Sequence, residues 1–415
     1  MIGWLFDFVF YYPLFMAYAW MAGALWYYAH YERHALRVRD PLGQLRSHPL
    51  VTVILPCFNE EKNLREVVRC LMALRYPHYE VLAVNDGSVD ATGRILEELA
   101  REHPRIRIAH HAANQGKAVA LNTGCMLARG EYLLCIDGDA VLEPDIIPWM
   151  LTHFESAPRV GAVTGNPRIR TRSTLLGRIQ VGEFSSIVGL IKRAQRAYGR
   201  IFTVSGVVAM FRRTAIVQCG AWSPDMLTED IDISWRLQTC HWDIRFEPHA
   251  LCWILMPETL KGLWRQRLRW AMGGCQVIAR YARIFSAWRQ RRMAPIFVEY
   301  LTSVAWAYAM VATIVIFVVG LFVHLPAQWD VALLPRWHGV LLGTTCFLQI
   351  LVGMYLDRKY DTDLPRNFFW MIWYPMAYWA ITTATIVWAV PATLLRPPGK
   401  RARWVSPDRG VRTSA

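Results

Sequence analysis

The stretch YLLCIDGDAVL, residues 132–142, runs apolar for five residues and then presents two aspartates split by a glycine. Side chains two apart in extended chain point the same way, so Asp137 and Asp139 are aimed together where a buried strand ends. Gly138 between them lets another group approach the backbone. Three readings fit: a carboxylate pair for a divalent cation, a phosphorylated aspartate nucleophile, or a solvated turn. DGDAVL matches the DxDx[TV][LV] phosphatase pattern literally. That pattern belongs after a first strand, however, and three strand–helix units precede Tyr132 here.

Those units alternate regularly. Residues 51–56 (VTVILP), 79–84 (YEVLAV), 106–110 (IRIAH) and 132–136 read as strands. Residues 60–74, 91–102 and 117–128 carry helical spacing between them. This order predicts an α/β domain, a mostly parallel sheet with helices on both faces. Ligands of such sheets bind beyond the carboxyl ends of the strands. The polar clusters sit there: PCFNEE after the first strand, NDGS after the second, DGDA after the fourth. Neither GxGxxG nor GxxxxGK[ST] follows the first strand, which argues against a dinucleotide-binding or P-loop enzyme.

The rest of the chain is unusually apolar. Of 415 residues 54% are hydrophobic, and charged residues fall to 19%, below the roughly 25% of a soluble domain. The excess is concentrated in residues 2–30, 296–323, 339–356 and 368–395. A helix of about 20 apolar residues crosses a bilayer, so four membrane segments are expected. Arg33, Arg37, Arg39 and Arg46 flank the first on one side only, which puts the N-terminus outside and Arg33 onward in the cytoplasm. Four crossings would leave the C-terminus outside. Its Arg396, Lys400, Arg401, Arg403, Arg409 and Arg412 favour the cytoplasm instead, so either one block does not fully cross or the charge rule is broken. The net charge of +14 gathers beside these segments and points to anionic lipid headgroups, with no nucleic acid as partner. Nine dispersed cysteines without CxxC fit a reducing compartment and exclude a zinc or disulfide framework.

Two further clusters can carry chemistry. In MLTEDIDISWRLQ, Glu229, Asp230 and Asp232 crowd the start of a helix, which Thr228 can cap. One of these acids, its pKa raised by a like-charged neighbour and partial burial, suits a general base. In WRQRLRWAMGG, Gln266, Arg269 and Trp270 share one helix face. Lys261, Arg265, Arg267, Arg280, Arg283 and Arg289 alternate with apolar residues around them, as in a helix lying on a membrane surface.

Taken in order, NDGS, DGD, TED and QRLRW over residues 51–270 resemble the motif set of the processive family-2 glycosyltransferases. Synthases of cellulose, chitin, hyaluronan and poly-N-acetylglucosamine belong to that family. Longer stretches, among them GAVTGNPRIRTRSTLLGRIQVGEFSSIVGLIKR and ALCWILMPETLKGLW, are similar to the branch that makes β-1,6-linked N-acetylglucosamine polymer. Relatives often carry one more apolar segment ahead of the first one here. The resemblance implies a GT-A-type domain over residues 46–256 inserted between transmembrane helices. A membrane helix at 1–31, interface helices at 257–293, three transmembrane segments at 294–395 and a basic tail at 396–415 complete the chain.

It also implies an inverting, UDP-GlcNAc-dependent polymerase in the bacterial inner membrane. Asp230 is then the base. Phe58, Glu60, Asp86, Lys117, Asp137, Gln266, Arg269 and Trp270 face the donor nucleotide. Asp139 with Asp137 holds Mg2+ or Mn2+, and Ser205, Gly206 and Glu229 line the acceptor. The growing poly-GlcNAc chain, the lipid bilayer, a small membrane helper subunit and activation by cyclic di-GMP are the partners it implies. A chitin-, cellulose- or hyaluronan-type product shares all four motifs. A catalytically inactive export or sensor subunit is expected to have lost some of them.

Overall fold

The computed structural model describes residues 2–35, 38, 40–286, 288–326, 329, 337–371, 374–397 and 399–403. Arg37, Arg39, Arg409 and Arg412 lie outside them. Eight strands form one sheet in the order β3-β2-β1-β4-β7-β6-β8-β5. They are β1 Val51–Cys57, β2 Tyr79–Asp86, β3 Ile106–His111, β4 Tyr132–Ile136, β5 Val141–Leu142, β6 Val160–Ile169, β7 Val208–Arg212 and β8 Asp243–Ile254.

The first four strands pair in parallel. β1 is buried along its whole length, as expected of a strand covered on both faces. Its side chains alternate: Val51, Val53, Leu55 and Cys57 enter one core and Ile54 the other. Helices α1 Ile2–Tyr27, α2 Leu64–Met72 and α3 Thr92–Glu102 come next in the chain. Leu64, Val67, Val68 and Leu71 of α2 and Ile95, Leu96 and Leu99 of α3 fill the first core at helical spacing. Helix α4, Lys117–Leu127, packs Ala118, Leu121 and Cys125 onto the opposite face. The chain therefore runs outward through β1, β2 and β3 and returns to β4. The crevice between the ends of β1 and β4 is the switch point where such sheets bind ligands.

The all-parallel pairing ends at β4. Strand β7 joins β4 antiparallel, and β6, β8 and β5 extend the sheet beyond it. Helices α5 Ile146–Ser156, α6 Leu175–Glu183, α7 Leu190–Tyr198, α8 Glu229–Thr239 and α9 Leu260–Arg280 cover this half.

Among the described residues, four helices are long and apolar enough to cross a membrane, at Gly3–Ala35, Trp288–Gly320, His338–Asp357 and Ala377–Leu394. They belong to α1, α10 Ala294–Gly320, α11 Trp337–Asp357 and α12 Tyr374–Leu394. Cross-links join them: Trp306 Nε1 donates to the Val9 carbonyl at 3.0 Å and Tyr308 Oη to that of Val387 at 3.3 Å. After α12 the chain returns to the catalytic half, where the Ala402 N–H donates to the Pro224 carbonyl at 2.9 Å.

The helix expected on the membrane surface is partly a domain element. Val277 and Ile278 of α9 pack with Met226 and Trp235. Arg267 is buried against Glu183 at 2.6 Å. Arg280 pairs with Asp225 and with Asp232. Lys261, Arg265, Arg283 and Arg289 stay exposed.

Domain and membrane helices meet at a buried charge cluster. Arg193 of α7 binds Glu32 at 2.7 Å and Asp357 at 2.8 Å. The other oxygen of Asp357 takes Arg168 of β6 at 2.7 Å. Tyr360 Oη donates to Glu32 at 2.8 Å. All four charged groups are almost completely buried. Removing one partner strands the others, which costs about 3–5 kcal/mol. Arg193→Met is therefore expected to lower the thermal midpoint of the detergent-solubilised protein by several degrees. An unchanged midpoint would show that the cluster does not hold the two parts together.

Candidate active site

Loops after β1 and β2 are clasped together. The Asn59 N–H donates to Ser88 Oγ at 3.0 Å, the Val89 N–H to Asn59 Oδ1 at 3.0 Å, and the Glu60 N–H to Thr92 Oγ1 at 2.7 Å. Glu60 is buried and lies against Gly138, where a Cβ would stand 2.9 Å from its carboxyl carbon. Phe58 is half-buried beside it at the end of β1.

Asp86 has no exposed surface. Its carboxylate accepts from His111 Nδ1 at 2.7 Å and from the N–H groups of Gln115 at 3.0 Å and Gly116 at 2.8 Å. The structure thus spends Asp86 on fixing the loop that leads into Lys117.

Lys117 begins α4 and joins the two halves of the sheet. Its ammonium meets Asp137 at 2.5 Å, Glu229 at 3.1 Å and the Gly206 carbonyl at 2.9 Å. Three donors serve three chain partners. Burial alone would depress this amine; the charges of Asp137, Glu229 and Asp230 outweigh it and hold it well above its usual range. Asp139 is buried beside the pair. Burial and the charges of Asp137 and Asp139 push the thiol of Cys252 on β8 up. Among the described residues no group of three or more His, Cys, Asp or Glu gathers to hold a metal by itself. Two hard carboxylates suit a divalent cation that takes its remaining oxygens from phosphate and water.

Glu229 and Asp230 open α8 from the other side. Thr228 precedes them but makes no side-chain cap bond; the one cap-like bond is from the Ile231 N–H to Asp230 Oδ1 at 2.9 Å. Asp232 is an anchor. Fully buried, it accepts from Ser223 at 2.7 Å, Arg236 at 2.8 Å and Tyr281 at 3.3 Å. Of the three acids, Asp232 is thus excluded as a base. Ser205 and Gly206 form a turn facing Asp230, and a Cβ at Gly206 would lie 2.8 Å from Asp230 Oδ2.

Arg269 donates to the Leu227 carbonyl at 3.3 Å, directly before this acid pair. Gln266 Nε2 reaches Met256 Sδ at 3.9 Å. Trp270 is half-buried, with the Arg267 guanidinium 4.3 Å from its ring centre. Arg267 and Glu183 therefore brace the tryptophan, a role invisible in a sequence where Arg267 reads as one basic residue among six.

Residues 48–273 match the profile described as glycosyltransferase like family 2. The chain is 34% identical over 410 residues to the poly-β-1,6-N-acetyl-D-glucosamine synthase of Staphylococcus epidermidis, across 98% of both chains. It is 35% identical over 417 aligned positions to the enzyme of that name from Staphylococcus aureus strain COL, again across 98% of both. The chain is a family-2 glycosyltransferase. Its fold is similar to that of a mannosyltransferase from Pyrobaculum calidifontis, solved with GDP-Man and Mn2+. The TM-score is 0.58 at 19% identity, over 93% of this chain and 99% of that one.

In this glycosyltransferase the acid pair is electrostatically split. Burial and then the charge of Glu229 push Asp230 up to about 6, against the pull of Lys117 and Arg269. Burial acts the same way on Glu229, but Lys117 and Arg269 overcome it and hold Glu229 below the usual range. A methyl at Gly206 would displace Asp230, and a misplacement of about 1 Å can cost ~100-fold in rate. Gly206→Ala is expected to lose activity on that scale while keeping the wild-type thermal midpoint. Full activity in the variant would show that the turn does not seat the acid.

Proposed function

We propose that this membrane glycosyltransferase polymerises N-acetylglucosamine from UDP-GlcNAc into a β-1,6-linked chain. The observation that carries the reading is near-full-length similarity to synthases of that name, with 34% identity over 98% of the chain. Every motif residue those relatives were expected to share is present in this sequence.

The nucleotide lies in the crevice between β1 and β4, with Phe58 and Glu60 beside the uridine and Asp86 supporting it from beneath through the Gln115–Gly116 backbone. Asp137 and Asp139 would hold Mg2+ or Mn2+, which supplies positive charge to the departing diphosphate. Lys117 holds Asp137 and Glu229 in register and adds its charge beside the departing diphosphate. Arg269, exposed on α9, stabilises the departing diphosphate with it. Gln266 and Trp270 cradle the donor sugar, and Trp270 stays in place because Arg267 stacks on it. Asp230 removes the proton from the acceptor 6-hydroxyl. That oxygen attacks the anomeric carbon from the face opposite UDP, and one displacement inverts the α-linked donor to a β-linked product. Ser205, Gly206 and Glu229 line the acceptor side.

The catalytic domain sits on the cytoplasmic side of the bacterial inner membrane, in line with Arg33 and Arg46. The eight chain steps from Leu394 to Ala402 reach at most about 28 Å, short of the ~30 Å hydrocarbon core. The fourth apolar helix therefore does not leave its end on the far face, and the basic tail returns to the cytoplasm. Three full crossings enclose little room for a polysaccharide. A helper subunit or a second copy completes the path for export, and cyclic di-GMP control acts through that assembly.

Membranes carrying the chain, with and without a small partner, should release UDP and make polymer from UDP-GlcNAc. That polymer should be cut by a β-1,6-GlcNAc hydrolase and resist chitinase. Chitinase-sensitive product, or turnover only with UDP-glucose, would overturn the product assignment. Asp230→Asn is expected to abolish polymer with UDP affinity within about twofold of wild type, since a base acts on the transition state rather than on nucleotide binding. Polymer from that variant would remove Asp230 as the base.

A further inference from the structure

We propose that Lys192 is a positioning residue for sugar transfer, setting from behind the 205–206 turn both the ionisation and the seating of Asp230. The inference rests on Asp230 acting as the base.

Lys192 lies on α7, buried, and its Nζ donates to Thr164 Oγ1 of β6 at 3.1 Å. Among the described residues that is its one hydrogen-bond partner. The same hydroxyl accepts the Ser205 N–H at 2.8 Å. Ser205 leads into Gly206, whose Cα faces Asp230 and whose carbonyl takes Lys117. Two lysines thus grip one turn, Lys117 directly from α4 and Lys192 through Thr164 from α7.

A buried ammonium is costly unless charges or several acceptors compensate it. The next residue shows the usual solution: Arg193 has carboxylates at 2.7 and 2.8 Å. Lys192 has a single hydroxyl. Burial depresses its amine to about 7, and Asp230 is the charge that pulls the other way. A lysine kept for packing alone would be served better by methionine, which fills the same volume at no electrostatic cost. Nor can Lys192 withdraw, because Arg193 clamps the same turn of α7 to Glu32 and Asp357.

The charged groups around Asp230 come from four elements. Glu229 on α8 opposes its ionisation; Lys117 from α4 and Arg269 from α9 favour it. Lys192 on α7 is the fourth, buried behind the 205–206 turn, where solvent screens least. Removing its positive charge makes Asp230 harder to ionise, so its proton is held to higher pH. The base works only when unprotonated, so activity rises as pH passes upward through the Asp230 pKa.

UDP release is to be followed against pH in membranes carrying wild type, Lys192→Met and Lys192→Arg. Lys192→Met should move the acid limb of kcat/KM to higher pH, because a positive charge behind the turn is lost. Lys192→Arg should return it towards wild type. Thr164→Val, which keeps the charge and removes the hydroxyl, should lower kcat with the limb unmoved. If Lys192→Met does not fold, Lys192→Gln, which keeps a donor for Thr164, carries the same comparison. An inserted, UDP-binding Lys192→Met or Lys192→Gln with an unmoved limb overturns the proposal. The two assignments separate cleanly. Loss of polymer in Asp230→Asn together with an unmoved limb sinks Lys192 alone, whereas polymer from Asp230→Asn sinks the base itself.

Discussion

Two arginines and two acids, buried together where the sheet meets the membrane helices, fix everything above them. Glu32 ends the first apolar helix and Asp357 ends the third, while Arg168 and Arg193 belong to the catalytic half. Charges so deeply buried are tolerated only when fully paired. Pairing here requires all four elements to be in register at once. The cluster adds little net stability over an apolar plug of the same shape, but it admits one arrangement. That arrangement sets the line of α7, and α7 in turn stands behind the turn that faces Asp230. An error at the membrane junction is thereby an error at the chemistry.

The second constraint is the way the sheet is finished. Its parallel half supplies Asp137 and Asp139 at the end of β4 and the loop after β1. Its other half, of mixed direction, carries the acid pair of α8. Neither half holds a complete site, and Lys117 bridges them. Its three contacts are to Asp137, Glu229 and the Gly206 carbonyl, one for each feature that must be brought together. Arg269 stands on helix α9, which is held to α8 through Arg280, Tyr281 and Asp232.

Much of this was legible in the sequence, and the limit has a physical cause. Short apolar runs alternating with helical spacing, and polar strand ends, exposed β1 to β4, the parallel half and the three motif clusters on it. The strands β6 to β8 also alternate with helices, but they sit in the sheet out of chain order and partly antiparallel, a placement no local pattern announces. The resemblance carried by the four motifs points to Asp137, Asp139, Asp230 and Arg269. Spacing does not tell which carboxylate faces a crevice and which is consumed inside. Asp86 and Asp232 look like site acids in the sequence, yet each is buried and saturated by neighbours brought from far along the chain. Arg267, Lys192 and Thr164 carry no signal at all, because their meaning lies in partners 28 to 84 residues away.

The division between Glu229 and Asp230 follows from that same geometry. Two adjacent carboxylates in a buried site cannot both keep ordinary pKa values. Lys117 touches Glu229 and does not touch Asp230, so the cost of crowding falls on Asp230. Glu229 stays ionised and holds the lysine, and through it Asp137. Asp230 is left poised near neutrality, where a base gains most from taking a proton. One asymmetric contact separates a structural acid from a chemical one. The separation would survive exchange of the sugar but not of the lysine, which is why a donor-independent feature of this kind fits an enzyme that must repeat one step along a growing chain.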